Sequence, residues 1–407
     1  MKKAIAVILV FLLVFSSVAC SSSEVVQEEV RMALDEDFYL KVGFIFSGDK
    51  NDAYANAHYE AAMKMKEQLG LTDEQIIIKW NVTSTEKAYH AATDLADQFC
   101  DIVFSNSYGH EDYMIRAAME YPEVQFCHLG GYQASSCELD NVHNFYADVY
   151  EARYVSGIVA GMKLNEMIKQ KKIKPDEAKM GYVGSFTYAE VISGYTAFYL
   201  GAKSVCDSVT MDVTYTGYWA GKKADREATE MMIENGCVLM SHHTDTMSIA
   251  DVCEEAGVPF VGAHMPMTEQ APTCALTSVF VDWNSYITMA VKSVMDGTEI
   301  PVDWSEGYKK GVVGITELNS ACVAKGTEEA VEKAEDALKN GKLKVFDTST
   351  WMVHGKTVTS TKGEELKDRF YGLEYIKDGT FQECTLASVP AFLFRIDGIT
   401  ELNEAIY

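Results

Sequence analysis

From Val42 onward the chain repeats one unit: an apolar run, a polar turn, then a helical pattern. The opening unit is Leu40–Leu69, where Val42–Phe46 breaks at Ser47-Gly48-Asp49 and a helical pattern follows from about Ala53. Gln75–Trp80 precedes the helical Glu86–Phe99, and Ile102–Phe104 leads through Ser105–Gly109 into a helix ending near Tyr121. Val124–Leu129 and Val142–Tyr146 are further strands, followed by the helical Tyr150–Glu166. A second series opens at Met180–Phe186 with a helix over Tyr188–Lys203. It continues through strands Val209–Tyr215, Cys237–Ser241, Pro259–Gly262 and Leu276–Phe280, with helices Lys223–Asn235, Ser248–Ala256 and Asn284–Asp296 between and after them. Sequential strand–helix units dictate parallel sheets. Two series predict two α/β lobes with a cleft, and ligands in such sheets lie at the carboxyl ends of the strands. Gly70, Gly201, Gly236, Gly257, Gly297 and Gly341 follow the helices as expected of C-terminal caps.

Ahead of this lies a segment of different character. Lys2-Lys3, the apolar Ala4–Phe15 and the small-residue stretch Ser17-Val18-Ala19 before Cys20 read as an export signal over residues 1–19. The apolar run is too short for a membrane span, which takes about 20 residues. A cysteine at this point resembles the bacterial lipobox, in which it is lipidated and becomes the mature N-terminus. Ser17 stands where that motif usually has leucine, and a plain secretory signal is the alternative. Residues 20–37 are polar and acidic, as expected of a flexible tether. The expected location is the extracytoplasmic face of the cell membrane, held by lipid at Cys20.

The remaining length exceeds a single hydrophobic core, which again predicts two lobes. The net charge of −25 disfavours nucleic acid as a partner, because such binding neutralises phosphates. Nine further cysteines are scattered without a C-x-x-C, which argues against zinc knuckles and redox motifs. Cys127 and Cys237 lie inside apolar runs and read as buried thiols. There is no Walker loop, G-x-G-x-x-G or G-x-S-x-G, so neither a cofactor nor catalysis is indicated.

Four polar turns at strand ends are candidate ligand contacts: Gly48–Tyr54, Ser105–His110, Ser185–Glu190 and Ser241–Thr246. His242, His243 and Asp245 raise the question of a metal, but neighbours along a strand point to opposite faces, and none is expected. Tyr54, Phe186, Trp219 and Trp283 supply flat rings near these turns. Each ring either stacks on a planar ligand or covers the core.

The stretches VGFIFSG, NDAYANAHYEAA, DIVFSNSYG, EYPEVQF, YEARYVSGIVAG, KMGYVGSF, GYTAFYLGAKSV, REATEMMIENG, SHHTDT and ALTSV, in this order, resemble the BMP family (basic membrane lipoproteins) of ABC-transporter solute receptors. The type member of that family binds purine nucleosides. The resemblance implies a type I periplasmic-binding fold, two doubly wound lobes joined by three crossings, and a closed form that docks on a permease with its ATPase. It places one lobe at 38–148 and 265–300, the other at 149–264 and 301–350, and a divergent extension at 351–407. By the same resemblance Tyr54 and Trp219 are the rings that stack on the base. Asn51 stands where the family often has an aspartate for the base edge, and Ser105, Ser107 and Tyr108 fall in the turn lining the cleft. Phe186, Asp245, His264 and Trp283 complete the expected site. His264 falls in the stretch where nucleoside binders carry a ribose-gripping aspartate, and Gly221 replaces another. The expected ligand is therefore a purine base, nucleoside or related planar heterocycle. A flavin receptor of the same fold and a surface adhesin or signalling lipoprotein are the alternatives. In the extension, TLASVPAFLFRI reads as a strand packed on a lobe.

Overall fold

The structure, a computed structural model, describes residues 39–407; the signal, Cys20 and the tether lie outside the described residues. Residues 41–407 form one compact unit built on two sheets. The first series places β1 (Val42–Ile45), α1 (Ala53–Gln68), β2 (Ile76–Lys79), α2 (Glu86–Asp97), β3 (Ile102–Ser105), α3 (Glu111–Glu120), β4 (Gln125–Leu129) and β5 (Val142–Phe145). After α4 (Val149–Lys169) come β6 (Lys179–Gly184), α5 (Ala189–Lys203), β7 (Thr210–Tyr215), α6 (Lys222–Glu234), β8 (Leu239–His243), α7 (Ser248–Ala256), β9 (Phe260–Ala263), β10 (Ala275–Val281) and α8 (Asn284–Asp296). β11 (Asp303–Trp304), β12 (Val313–Ile315), α9 (Thr327–Lys339), the hairpin β13 (Ile376–Lys377) and β14 (Thr380–Phe381), and β15 (Ile399–Glu401) complete it.

The first sheet runs β11-β5-β4-β3-β1-β2, all parallel. The second runs β12-β10-β9-β8-β6-β7-β15, parallel except at β12. β1 and β3 are buried at every position, as continuous apolar strands covered on both faces must be.

Two expectations about boundaries are corrected. The stretch 265–300 does not belong to one lobe: β10 pairs with β9 in the second sheet, while α8 packs on α1 of the first. Likewise β11, expected in the second lobe, pairs with β5 in the first sheet. The chain passes between sheets after β5, between β10 and α8, and after β11, so it crosses three times, with the second and third crossings later than expected. An apolar run does not carry its partner in its own pattern, because pairing is a long-range choice. The TLASVPAFLFRI run is also not a strand. Its Phe392 and Phe394 join Phe346, Trp351, Phe370 and Phe381 in an aromatic cluster, and the strand that reaches the sheet is β15, beside β7.

Gly257 caps α7 at φ 68° as expected, but Gly201 does not cap a helix. It lies inside α5, where a Cβ would stand 1.9 Å from the Tyr154 carbonyl oxygen of α4. A Cβ at Gly157 of α4 would meet the Phe198 oxygen at 2.0 Å. The two helices therefore cross backbone against backbone, and α5 is buried almost throughout. No helix of the described residues is long and apolar enough to cross a membrane.

Candidate functional site

A cavity of about 410 Å³ lies between the two sheets, within the range of small-molecule sites. The first lobe supplies Asp52 and Tyr54 from the turn after β1, and Asn106 to Gly109 from the turn after β3. Tyr146 follows β5, and Arg153 reaches in from α4. The second lobe supplies Tyr188 and Glu190 at the start of α5, Trp219 after β7, His243 and Asp245 at the end of β8, and His264 after β9. Trp283 follows β10. Nearly all of them stand at carboxyl ends of strands, where open parallel sheets bind ligands.

Rings line both sides. Trp219 lies 6.2 Å from Tyr188 at 36° between planes, and Tyr188 lies 5.7 Å from Tyr108 of the other lobe. Tyr54 meets His264 edge-on at 5.4 Å, and its hydroxyl donates to the Asn106 carbonyl at 2.7 Å. Trp283 answers the question of core or cleft with both: it is buried and stacks on His58 at 4.7 Å, yet also lines the cavity. The lobes touch at further points. The Ala53 N–H donates to the Asp245 carbonyl at 3.3 Å, and the Tyr146 hydroxyl donates to Glu190 Oε2 at 2.6 Å.

Burial dominates the electrostatics. It raises the carboxyls of Asp52, Glu190 and Asp245, the last also through the neighbouring Asp52 and Glu190. His264 is pushed down to about 3 by burial and by Arg153, and His243 falls well below its usual range for the same reasons. The imidazoles are therefore neutral at physiological pH, each with one donor and one acceptor. His264 holds φ at 70°, a costly conformation for a residue with a Cβ, of the kind that clusters at functional sites.

Of the residues expected from the sequence, Tyr54, Ser107, Tyr108, Trp219, Asp245, His264 and Trp283 line this cavity. Three do not. Asn51 is exposed and its amide donates to Asp49 at 3.0 Å, while the next residue, Asp52, caps α1 and reaches the cavity. Ser105 is buried against His110, its hydroxyl 2.7 Å from Nδ1. Phe186 lies outside the lining and stacks on Tyr188 at 5.3 Å, supporting the ring that faces inward. His242 and His243 do point to opposite faces: His242 stacks on Phe260 in the core, while His243 faces the cavity.

Sequence reading missed Tyr146 and Arg153, and it offered the turns that hold Asp52, Asn106, Tyr188, Glu190 and His243 without singling these residues out. Arg153 had a legible signal, a lone cation within the apolar helix VYEARYVSGIVAG. Asn106 sat between the two serines that drew attention. Its Oδ1 accepts the Ser47 N–H at 2.9 Å, and its buried Nδ2 has no hydrogen-bond partner among the described residues.

Known proteins support this architecture. The family described as ABC transporter substrate-binding protein PnrA-like matches residues 39–347. A purine-binding protein of Brucella abortus (strain 2308) is 28% identical over 325 residues, 78% of this chain and 88% of that protein. A putative ABC transporter glucose-binding protein of Haloferax volcanii is 25% identical over 296 residues, 72% of this chain and 71% of that one. Among solved structures, a solute-binding protein from Aeropyrum pernix K1 superposes with TM-score 0.66 at 15% identity, over 75% of this chain and 93% of that one. One from Conexibacter woesei gives 0.61 at 20% identity, over 75% and 98%. These neighbours share the type I periplasmic-binding fold. With the family match spanning most of its length, this chain belongs to the PnrA-like (Bmp) family of ABC transporter substrate-binding proteins.

Proposed function

We propose that this protein is a lipid-anchored extracytoplasmic receptor that closes over a purine base and presents it to the permease and ATPase of an ABC importer. The observation that carries the reading is the set of rings around one cavity between the lobes: Trp219 and Tyr188 from one lobe, Tyr54 and Tyr108 from the other. Flat rings above and beside a slot favour a flat ligand, and stacking geometry adds about 0.5–1.5 kcal/mol beyond burial. A match to a purine-binding relative points the same way. His264 in the stretch where a ribose-gripping carboxylate was expected favours a free base over a nucleoside, since hydrogen bonds to a charged group contribute roughly 1.5–3 kcal/mol. Cys20 supplies the anchor and residues 20–37 the tether.

The test is a thermal-shift panel on the unlipidated chain, refolded to strip carried-over ligand. It covers purine bases, their nucleosides, pyrimidines, flavins and glucose. A ligand at 100-fold its Kd adds about 2.7 kcal/mol, a readily measured shift. Shifts with purine bases exceeding those with the nucleosides are expected. A larger response to a nucleoside would remove the base preference, and a response confined to flavin or glucose would overturn the purine reading.

A further inference from the structure

Arg153 is the one cation lining the cavity among the described residues, and it has no counter-ion. It is 1% exposed, and its Nη1 donates to the His242 carbonyl at 2.9 Å. Its Nε is buried without a hydrogen-bond partner among the described residues. The Tyr182 ring lies 5.7 Å from the guanidinium carbon, but none of the three carboxyls lining the cavity pairs with Arg153. The side chains His242, His243 and His264 around it are neutral. Burying a guanidinium with a single hydrogen bond costs desolvation that an apolar residue at this place in α4 would avoid. Asn106 adds a second buried donor with no partner on the cavity wall. Acceptors on a ligand would satisfy these donors.

We infer that Arg153 selects oxopurines over adenine by offering its guanidinium edge to the adjacent carbonyl oxygen and ring nitrogen of hypoxanthine, guanine or xanthine. This rests on the purine reading above. O6 and N7 of an oxopurine form an acceptor pair at the spacing of two guanidinium N–H groups, the pairing by which arginine reads guanine elsewhere. Adenine sets an amino donor in the place of O6, so donor would face donor and a buried N–H would stay unpaired.

Isothermal titration of hypoxanthine, xanthine, guanine and adenine against the full unlipidated chain tests this, with Arg153→Met and Arg153→Lys alongside. Hypoxanthine should bind roughly ten- to hundredfold more tightly than adenine. In Arg153→Met that ratio should collapse toward one, while the ligand-free melting temperature stays level or rises because the unpaired charge is gone. Arg153→Lys, which keeps the charge but loses the fork, should retain a reduced ratio and stands in if the methionine variant does not fold. Adenine bound as tightly as hypoxanthine would overturn the inference and leave the purine reading intact. So would an Arg153→Met protein that weakens both ligands equally, which is the mark of a purely structural residue. Absence of binding by every purine would sink both.

Discussion

Trp219 stands on a loop after β7 and depends on little of the core, yet it forms a wall of the cavity. Replacing it with alanine should leave the melting temperature nearly unchanged and weaken ligand binding by about 1–3 kcal/mol, from lost stacking plus lost apolar contact. Titration of the variant measures this; unchanged affinity would show that the ring is not a stacking partner. Residue identity alone misled at Asn51 and Ser105. Both are polar and sit in the right turns, but one residue of register separates the exposed Asn51 and the core-facing Ser105 from side chains that line the cavity. Asp52 and Asn106 take those places because the cap of α1 and the end of β3 orient them inward.

Among the elements, the α4–α5 crossing and the C-terminal segment do the positioning. Gly157 and Gly201 let α4 and α5 touch, which fixes Arg153 on one helix relative to Glu190 on the other. The segment after Val345 fastens this region. The Ser388 N–H donates to Asp303 of the first sheet at 3.0 Å, and β15 extends the second. The Glu383 carboxylate oxygen Oε2 accepts the Ala391 and Phe392 N–H groups at 2.9 Å each. Burial raises the Glu383 carboxyl to about 7, and Asp148 nearby rises to about 6. A carboxyl raised on folding binds its proton more tightly in the folded state. Its contribution is therefore complete below the ordinary carboxylate range and is lost as pH rises through about 7. Stability should fall between pH 5 and pH 8, and Glu383→Gln should flatten that slope by on the order of 2 kcal/mol across the range. Melting curves at stepped pH check it; an identical slope in the variant would place the titration elsewhere.

For the whole molecule, function depends on the lobes meeting. The Ala53–Asp245 hydrogen bond, the Tyr108–Tyr188 ring contact and the Tyr146–Glu190 hydrogen bond all cross the cleft. Between them they bury two raised carboxyls and several neutral histidines, which favours opening when no ligand satisfies the walls. Ligand shifts the balance toward closure only by what it binds better in the closed form. Small-angle scattering should therefore show a larger radius of gyration for the ligand-free protein and compaction on adding the ligand that gives the greatest thermal shift. A radius unchanged by saturating ligand would rule out closure as the signal read by the permease.

The two-lobed parallel architecture was legible in the chain because its evidence is local. Continuous apolar runs such as Val42–Phe46 mark strands buried on both faces, and glycines such as Gly257 mark helix ends where a left-handed backbone is needed. Even Trp219 and Tyr54 could be found, since turns after strands face the cleft in any such sheet. What the tertiary structure alone decided is non-local. β10 stayed beside its neighbour β9 in the second sheet, while β11 paired with β5, far back along the chain in the first. The TLASVPAFLFRI run became an aromatic plug rather than a strand because β7 was completed by Ile399–Glu401 instead. Arg153, Tyr146 and Glu190 became site residues only once two helices packed at glycine distance and the lobes closed. A helical pattern tells which residues share a face; it does not say what that face will meet.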